Sequence, residues 1–280
     1  MTDSWHSTTS LTTEQRLDVL NLLNRTETVI GREAIDEGSR RIVVHGWKAE
    51  HWLLQRGGDL VGYALLAGTD HPTIEMCGGR FDQGLLHELL KIHPQVDWWK
   101  RNSLRVEHGT VIRTLEMLRT KLPVPVVDVP VGATLRAFEP RRDEDLWLEQ
   151  NNAAFAHHPE QGAWLLGDLA ERINEPWFDP SGFLLLEIDG RLAASCWTKV
   201  HELHPDRFGE IYVISVHPDF QGRNLGRIMV TQGLASLSKK GVSSAVLFVD
   251  QSNVVAKKLY ASLGFVVDRE DNLVRFARTT

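Results

Sequence analysis

Cysteine, net positive charge and long apolar runs are all scarce in this chain, and each shortage removes a class of function. The 280 residues include two cysteines, Cys77 and Cys196, both in or beside apolar stretches. Two thiols cannot make a zinc site of their own, and their setting predicts buried free thiols in a reducing compartment. His157-His158 has the look of a metal pair, but adjacent residues on a helix point apart and no further ligands flank them, so no metal is expected. Lysine and arginine number 31 against 37 acidic residues, a net charge of −6. With no basic excess to neutralise a phosphate backbone, the chain is not expected to bind nucleic acid. The acidic balance suits solubility or a cationic small substrate. No apolar run approaches the ~18 residues of a membrane span, and residues 1–10 are polar without a signal-peptide pattern. These absences leave a cytoplasmic protein, expected to be monomeric, whose partner is a small molecule.

What the chain does have is concentrated in residues 211–230, IYVISVHPDFQGRNLGRIMV. A β-rich run ends at His217-Pro218, a short polar loop follows, and a helical pattern opens at about Arg227. Backbone N–H groups at a helix start lack intrahelical partners, and the helix dipole adds positive charge there. A glycine-bearing loop lets that backbone close around a phosphate or pyrophosphate. The spacing from Gly222 to Gly226 is too short for a P-loop, and no G-x-G-x-x-G is present. The loop does resemble the [QR]-x-x-G-x-[GA] acetyl-CoA loop of the GNAT superfamily of N-acetyltransferases. Gln221 and Gly226 match its ends. Asn224 stands where the first glycine is usual, and asparagine tolerates positive φ better than most residues. By itself the segment could also be an ordinary strand-loop-helix connection.

The flanking segments narrow that choice. Residues 184–200 read as a hairpin turning at Asp189-Gly190, and 209–216 as the next strand. Residues 227–239 carry a helical stripe, 244–249 a buried strand, and 253–263 a helix capped by Asn253 and stopped by Gly264. The order strand-strand-strand-helix-strand-helix-strand, with the tail Asn253…Tyr260-x-x-x-Gly264-Phe265, is similar to the GNAT fold. The fold class expected is therefore α/β, with a mixed sheet. One such domain needs about half of this chain. Three prolines within residues 122–132 mark an extended connection, so the chain divides into 1–125, a linker 126–133 and 134–280. A weaker copy of the same plan precedes the linker. It has a helix over 13–24, a hairpin from 49–54 and 60–67, and strands at 73–77 and 98–99. Helices at 85–92 and 110–118 complete it. Its loop reads R-F-D-Q-G over residues 80–84, where Asp82 would repel a pyrophosphate. The first copy is thus expected to be degenerate and to shape a cleft.

Acetyl transfer to an amine needs a held carbonyl, a deprotonated nitrogen, a stabilised thiolate and alignment. Backbone N–H groups around Ile214, Ser215 and Val216 would hold the carbonyl. Glu210, early on the same strand, could take the amine proton. Tyr260 sits where the superfamily places a thiolate-directed hydroxyl. Residues 151–162 with Trp164, 175–182, 197–201 and 209–213 recur in the order of the mycothiol synthase family of tandem GNAT enzymes, which the second half resembles closely. That resemblance implies acetyl-CoA as co-substrate and the cysteinyl amine of desacetylmycothiol as acceptor. It assigns Glu210 as base and Tyr260 as acid. It gives acetyl-CoA contacts to Ile214, Ser215 and Val216, to Gln221, Gly222, Arg223, Asn224, Leu225, Gly226 and Arg227, and to Asn253, Val254, Val255, Ala256, Lys257 and Lys258. It assigns substrate contacts to Glu160, Lys199 and Glu210. It also implies Phe248, where the family carries a tyrosine, and Glu33 in the first half. The other readings are a GNAT enzyme for another amine or peptide N-terminus, and a non-catalytic acetyl-CoA-binding module.

Overall fold

The computed structural model describes residues 4–68, 72–78, 83–101, 109–156, 163–202 and 207–278. The first half runs β1 (Ser4–Thr8), α1 (Thr13–Ile30), α2 (Glu37–His45), β2 (Glu50–Arg56), β3 (Asp59–Ala67), β4 (Thr73–Gly78), α3 (Gln83–Ile92), β5 (Gln95–Arg101) and β6 (Thr110–Lys121). The second runs β7 (Ala133–Ala137), α4 (Glu144–Ala154), α5 (Leu166–Ile173), β8 (Phe183–Ile188), β9 (Arg191–Glu202), β10 (Arg207–Val216), α6 (Leu225–Lys239), β11 (Ser244–Asp250), α7 (Val254–Ala261) and β12 (Val266–Ala277).

Local chemistry explains the boundaries. Thr12 and Gln15 form a capping box: the Thr12 hydroxyl accepts from Gln15 N–H at 3.2 Å, and the Gln15 side chain accepts from Thr12 N–H at 3.0 Å. Asp189 and Gly190 take φ of 51° and 74°, the two positive values of a type I′ turn, and this turn joins β8 to β9. Asn253 Oδ1 accepts from Ala256 N–H at 3.1 Å and starts α7.

The twelve strands among the described residues share one sheet, in the order β1-β2-β3-β4-β5-β12-β6-β11-β10-β9-β8-β7. The two halves exchange their last strands. β12 lies between β5 and β6, antiparallel to both. β6 in turn pairs with β11 from Lys121–Ser244 to Leu115–Asp250. This corrects the expected helix over 110–118. Val111, Leu115 and Leu118 recur at helical spacing, yet Thr110, Val111, Ile112 and Thr114 are β-branched and favour a strand. Strands on both sides then satisfy the backbone of β6. The short N-terminal strand β1 and the helices α2, α4 and α5 were not anticipated from the sequence.

Two cores cover the second half. On one face α6 packs Met229, Val230, Leu234 and Leu237 on Cys196 and Ile211. On the other, Phe138, Trp147, Phe183 and Trp197 gather under α4 and α5, with the Phe183 and Trp197 rings stacked at 4.4 Å. Both cysteines are buried free thiols, as expected.

Candidate active site

The site begins where two strands part. β10 pairs with β9 along its length. With β11, among the described residues, it pairs only at Gly209–Ala245 and Glu210–Val246. A register shift between Ile211 and Val213 marks a bulge, which bends a strand and re-aims its groups. Beyond Glu210 the backbone of β10 facing β11 is therefore free of ladder partners and open to a ligand. A cavity of about 830 Å³ fills the gap, walled by Ile211 to Val216 on one side and Leu247 to Asp250 on the other.

The loop after β10 closes the far end of this cavity. Gly222 takes φ +76° and Asn224 φ +61°, so the residue in the glycine position does adopt the left-handed conformation. The Asn224 side chain makes no capping bond to α6, which starts at Leu225 rather than Arg227. The first N–H groups of the helix thus remain for an anion. Gln221 Nε2 donates to the Val216 carbonyl at 3.4 Å, and Arg227 Nη1 to Ser262 Oγ at 2.7 Å. Gln221, Gly222, Asn224, Leu225, Gly226 and Arg227 all line the cavity, as do Ile214, Ser215, Val216, Phe248, Asn253, Val255, Ala256 and Tyr260. Arg223, Val254, Lys257 and Lys258 stand outside its wall. The Arg223 guanidinium lies 5.1 Å over the Phe220 ring, and Lys257 Nζ is 2.6 Å from Glu116 Oε1. Tyr260 is buried, and that burial, with Cys196 nearby, pushes its hydroxyl up to about 12. It therefore holds its proton at neutral pH, as a proton donor must.

Beside the cavity lies a charged cluster. Glu210 on β10 directly opposes Lys199 on β9, and His201 shares the Lys199 face by the period-two rule. His201 Nε2 is 2.5 Å from Glu210 Oε2. Lys199 Nζ donates to Glu37 Oε2 at 2.9 Å and lies 3.5 Å from Glu33 Oε1, so both carboxylates arrive from the first half. The ammonium also sits 4.7 Å over the Trp177 ring. Burial alone would lower the Lys199 pKa, but Glu33, Glu37 and Glu210 outweigh it and hold the ammonium above its ordinary range. Tyr212 donates to Glu37 Oε1 at 3.1 Å and accepts from Arg172 Nε at 3.0 Å. The structure brings Glu33, Lys199 and Glu210 into one cluster. Glu160 lies outside the described residues, as do His157, His158 and Asp82.

Sequence reasoning missed His201, Glu37, Tyr212, Trp177 and Arg172 in this cluster. The first was reachable: setting Lys199 opposite Glu210 in the hairpin register puts His201 diagonally across from the carboxylate. Glu37 was not, because it belongs to a helix 162 residues away along the chain.

Comparisons with known proteins agree with this geometry. The acetyltransferase (GNAT) family model matches residues 139–265. A mycothiol acetyltransferase of Streptomyces coelicolor is 39% identical over 95% of this chain and 93% of its own length. That of Thermomonospora curvata is 52% identical over 55% of this chain and 52% of its own. A solved tandem GNAT protein from the clavulanic acid biosynthesis pathway superposes with a TM-score of 0.69, covering 99% of both chains, at 15% identity, and so speaks for the fold alone. With a relative matched over nearly its whole length, and with a splayed strand pair leading into a helix-start loop, this chain belongs to the mycothiol acetyltransferase family of GNAT acetyl-CoA-dependent N-acetyltransferases.

Proposed function

We propose that the chain transfers the acetyl group of acetyl-CoA to the cysteinyl amine of desacetylmycothiol, releasing CoA and mycothiol. The observation that carries this reading is the position of Glu210, at the last pairing before β10 and β11 diverge and one residue before Ile211, where the cavity wall begins. The diphosphate of acetyl-CoA would lie on the start of α6, where free N–H groups and the dipole favour it. Its pantetheine arm would run along Ile214, Ser215 and Val216, whose N–H groups would also hold the thioester carbonyl. Glu210 takes one proton of the attacking ammonium, and the nitrogen lone pair forms a bond to the acyl carbon. The C–S bond then breaks, Tyr260 gives its proton to the departing sulfur, and the second proton that the nitrogen sheds as the amide forms passes through water to the Tyr260 oxygen. Lys199 and the carboxylates Glu33, Glu37 and Glu160 suit a substrate rich in hydroxyls with one cationic amine.

We assign catalysis to residues 134–280 and the shaping of the cleft to residues 1–125. The enzyme would act as a cytoplasmic monomer without metal. No described helix is long and apolar enough to cross a membrane.

The test is turnover with desacetylmycothiol and with a panel of other amines, followed by CoA release. Desacetylmycothiol should be acetylated with the highest kcat/KM, and Glu210→Gln should lose on the order of 10²- to 10⁴-fold in kcat with acetyl-CoA binding retained. Preference for another amine, or near-normal turnover of Glu210→Gln, would overturn the substrate or the base respectively.

A further inference from the structure

Glu210 is not alone in its pocket. His201 projects from the neighbouring strand, and its Nε2 lies 2.5 Å from Glu210 Oε2. Both side chains are almost wholly buried. Two lone pairs cannot face each other at that separation, so one proton lies between the atoms. With Glu210 ionised, as a base must be, that proton belongs to Nε2, and the imidazole donates. Oε2 is then occupied, and Oε1 is the oxygen left for the amine. The ring itself is held once more, by its stack on Phe208 at 4.7 Å with planes 14° apart. Its Nδ1 lies 3.9 Å from Glu33 Oε1, beyond hydrogen-bond reach.

We infer that His201 is a positioning residue for the reaction: its Nε2–H fixes the rotamer of the Glu210 carboxylate, with the imidazole itself held by its stack on Phe208. This rests on Glu210 being the base. The arrangement resembles the orienting contact of a nucleophile–base–orienter set with the order of acid and imidazole reversed, since here the carboxylate reacts and the imidazole orients. The charged groups around His201 are Glu210 on β10, Glu33 before α2 and Lys199 on its own strand. Arg119 of β6 stacks on the Phe208 ring at 5.2 Å. Losing the imidazole N–H should therefore let the carboxylate leave its reactive rotamer and slow the chemical step without weakening acetyl-CoA binding.

The experiment compares His201→Phe, His201→Asn and His201→Gln in the full-length protein. Only glutamine can carry an N–H far enough to replace Nε2–H. His201→Phe and His201→Asn should lose on the order of 100-fold in kcat and keep the KM for acetyl-CoA. His201→Gln should recover most of the rate. Circular dichroism and acetyl-CoA binding by calorimetry check that each variant folds. If His201→Phe fails to fold, the asparagine and glutamine pair decides alone. Equal losses in all three variants, or a raised KM for acetyl-CoA with kcat unchanged, would overturn the inference. An inactive Glu210→Gln with a fully active His201→Phe overturns His201 alone, whereas an active Glu210→Gln removes the base assignment and this inference together.

Discussion

Single residues decide how closely the second half can close around its cavity. Gly233 lies inside α6, where alanine would ordinarily gain about 1 kcal/mol in helix propensity. A β-carbon there would sit 2.5 Å from Cys196 Sγ and 3.0 Å from Ile211 Cδ1. Cys196 is fully buried, so neither partner can move away cheaply, and overpacking of this kind costs about 1–3 kcal/mol. The clash should win. Gly233→Ala is expected to lower stability by roughly 1–2 kcal/mol, read as a lower urea midpoint, and Cys196→Ala in the same chain should restore part of the loss. Stability above wild type in the single variant would show that α6 can slide off the sheet. Much of the residue-level site was legible beforehand, because Gln221, Asn224, Asn253 and Tyr260 all lie within one stretch of about 40 residues whose order dictates their neighbours. Asn224 was legible in its backbone as well, since its short polar side chain tolerates the left-handed conformation it adopts. The members of the charged cluster that come from α2 were not, because no local pattern links them to β9.

Between elements, charge does what apolar packing does in the core. Arg136 of β7 donates to Asp143 at 2.5 and 2.9 Å and to Glu187 of β8 at 2.9 and 2.7 Å. It thereby pins the edge of the sheet to the start of α4. Asp143 also accepts from the Glu139 N–H at 2.8 Å. Burial would raise the Asp143 pKa, but the Arg136 contacts and that N–H overcome it and hold the carboxyl below its ordinary 3.8. The sign follows directly. Between the two values the unfolded chain binds more protons, so the stability from Asp143 is present above the ordinary pKa and is lost as pH falls through the folded one. Asp143→Asn should cost about 2–3 kcal/mol at pH 7, and the gap should shrink as unfolding is repeated toward pH 3. A gap that stays constant across that range would mean the carboxylate charge is not what matters.

At the scale of the whole molecule, the exchanged strands dominate. β6 from the first half separates β11 from β12 of the second, so a fragment of residues 134–280 has a missing strand in the middle of its own sheet. Unpaired strand edges are aggregation-prone. That fragment alone should be poorly soluble and should not bind acetyl-CoA, whereas co-expression with residues 1–133 should restore both. A soluble, active 134–280 fragment, seen by size exclusion and turnover, would show that the exchange is dispensable. The exchange also explains why cleft residues come from both halves: the shared sheet sets α2 against β9 and β10, and Glu33 and Glu37 reach Lys199.

From sequence alone the local grammar of the second half could be determined: its hairpin, the loop into α6 and the cap of α7. Those features depend on spacing within a few residues, where sterics and hydrogen-bond geometry leave few choices. Which strands neighbour one another, whether 110–118 would be helix or strand, and which carboxylates surround Lys199 and His201 depended on contacts between residues more than a hundred positions apart. Only the packed sheet decides those, because β6 gains two strand partners once β11 and β12 are in place, and that outweighs a helical spacing of apolar residues.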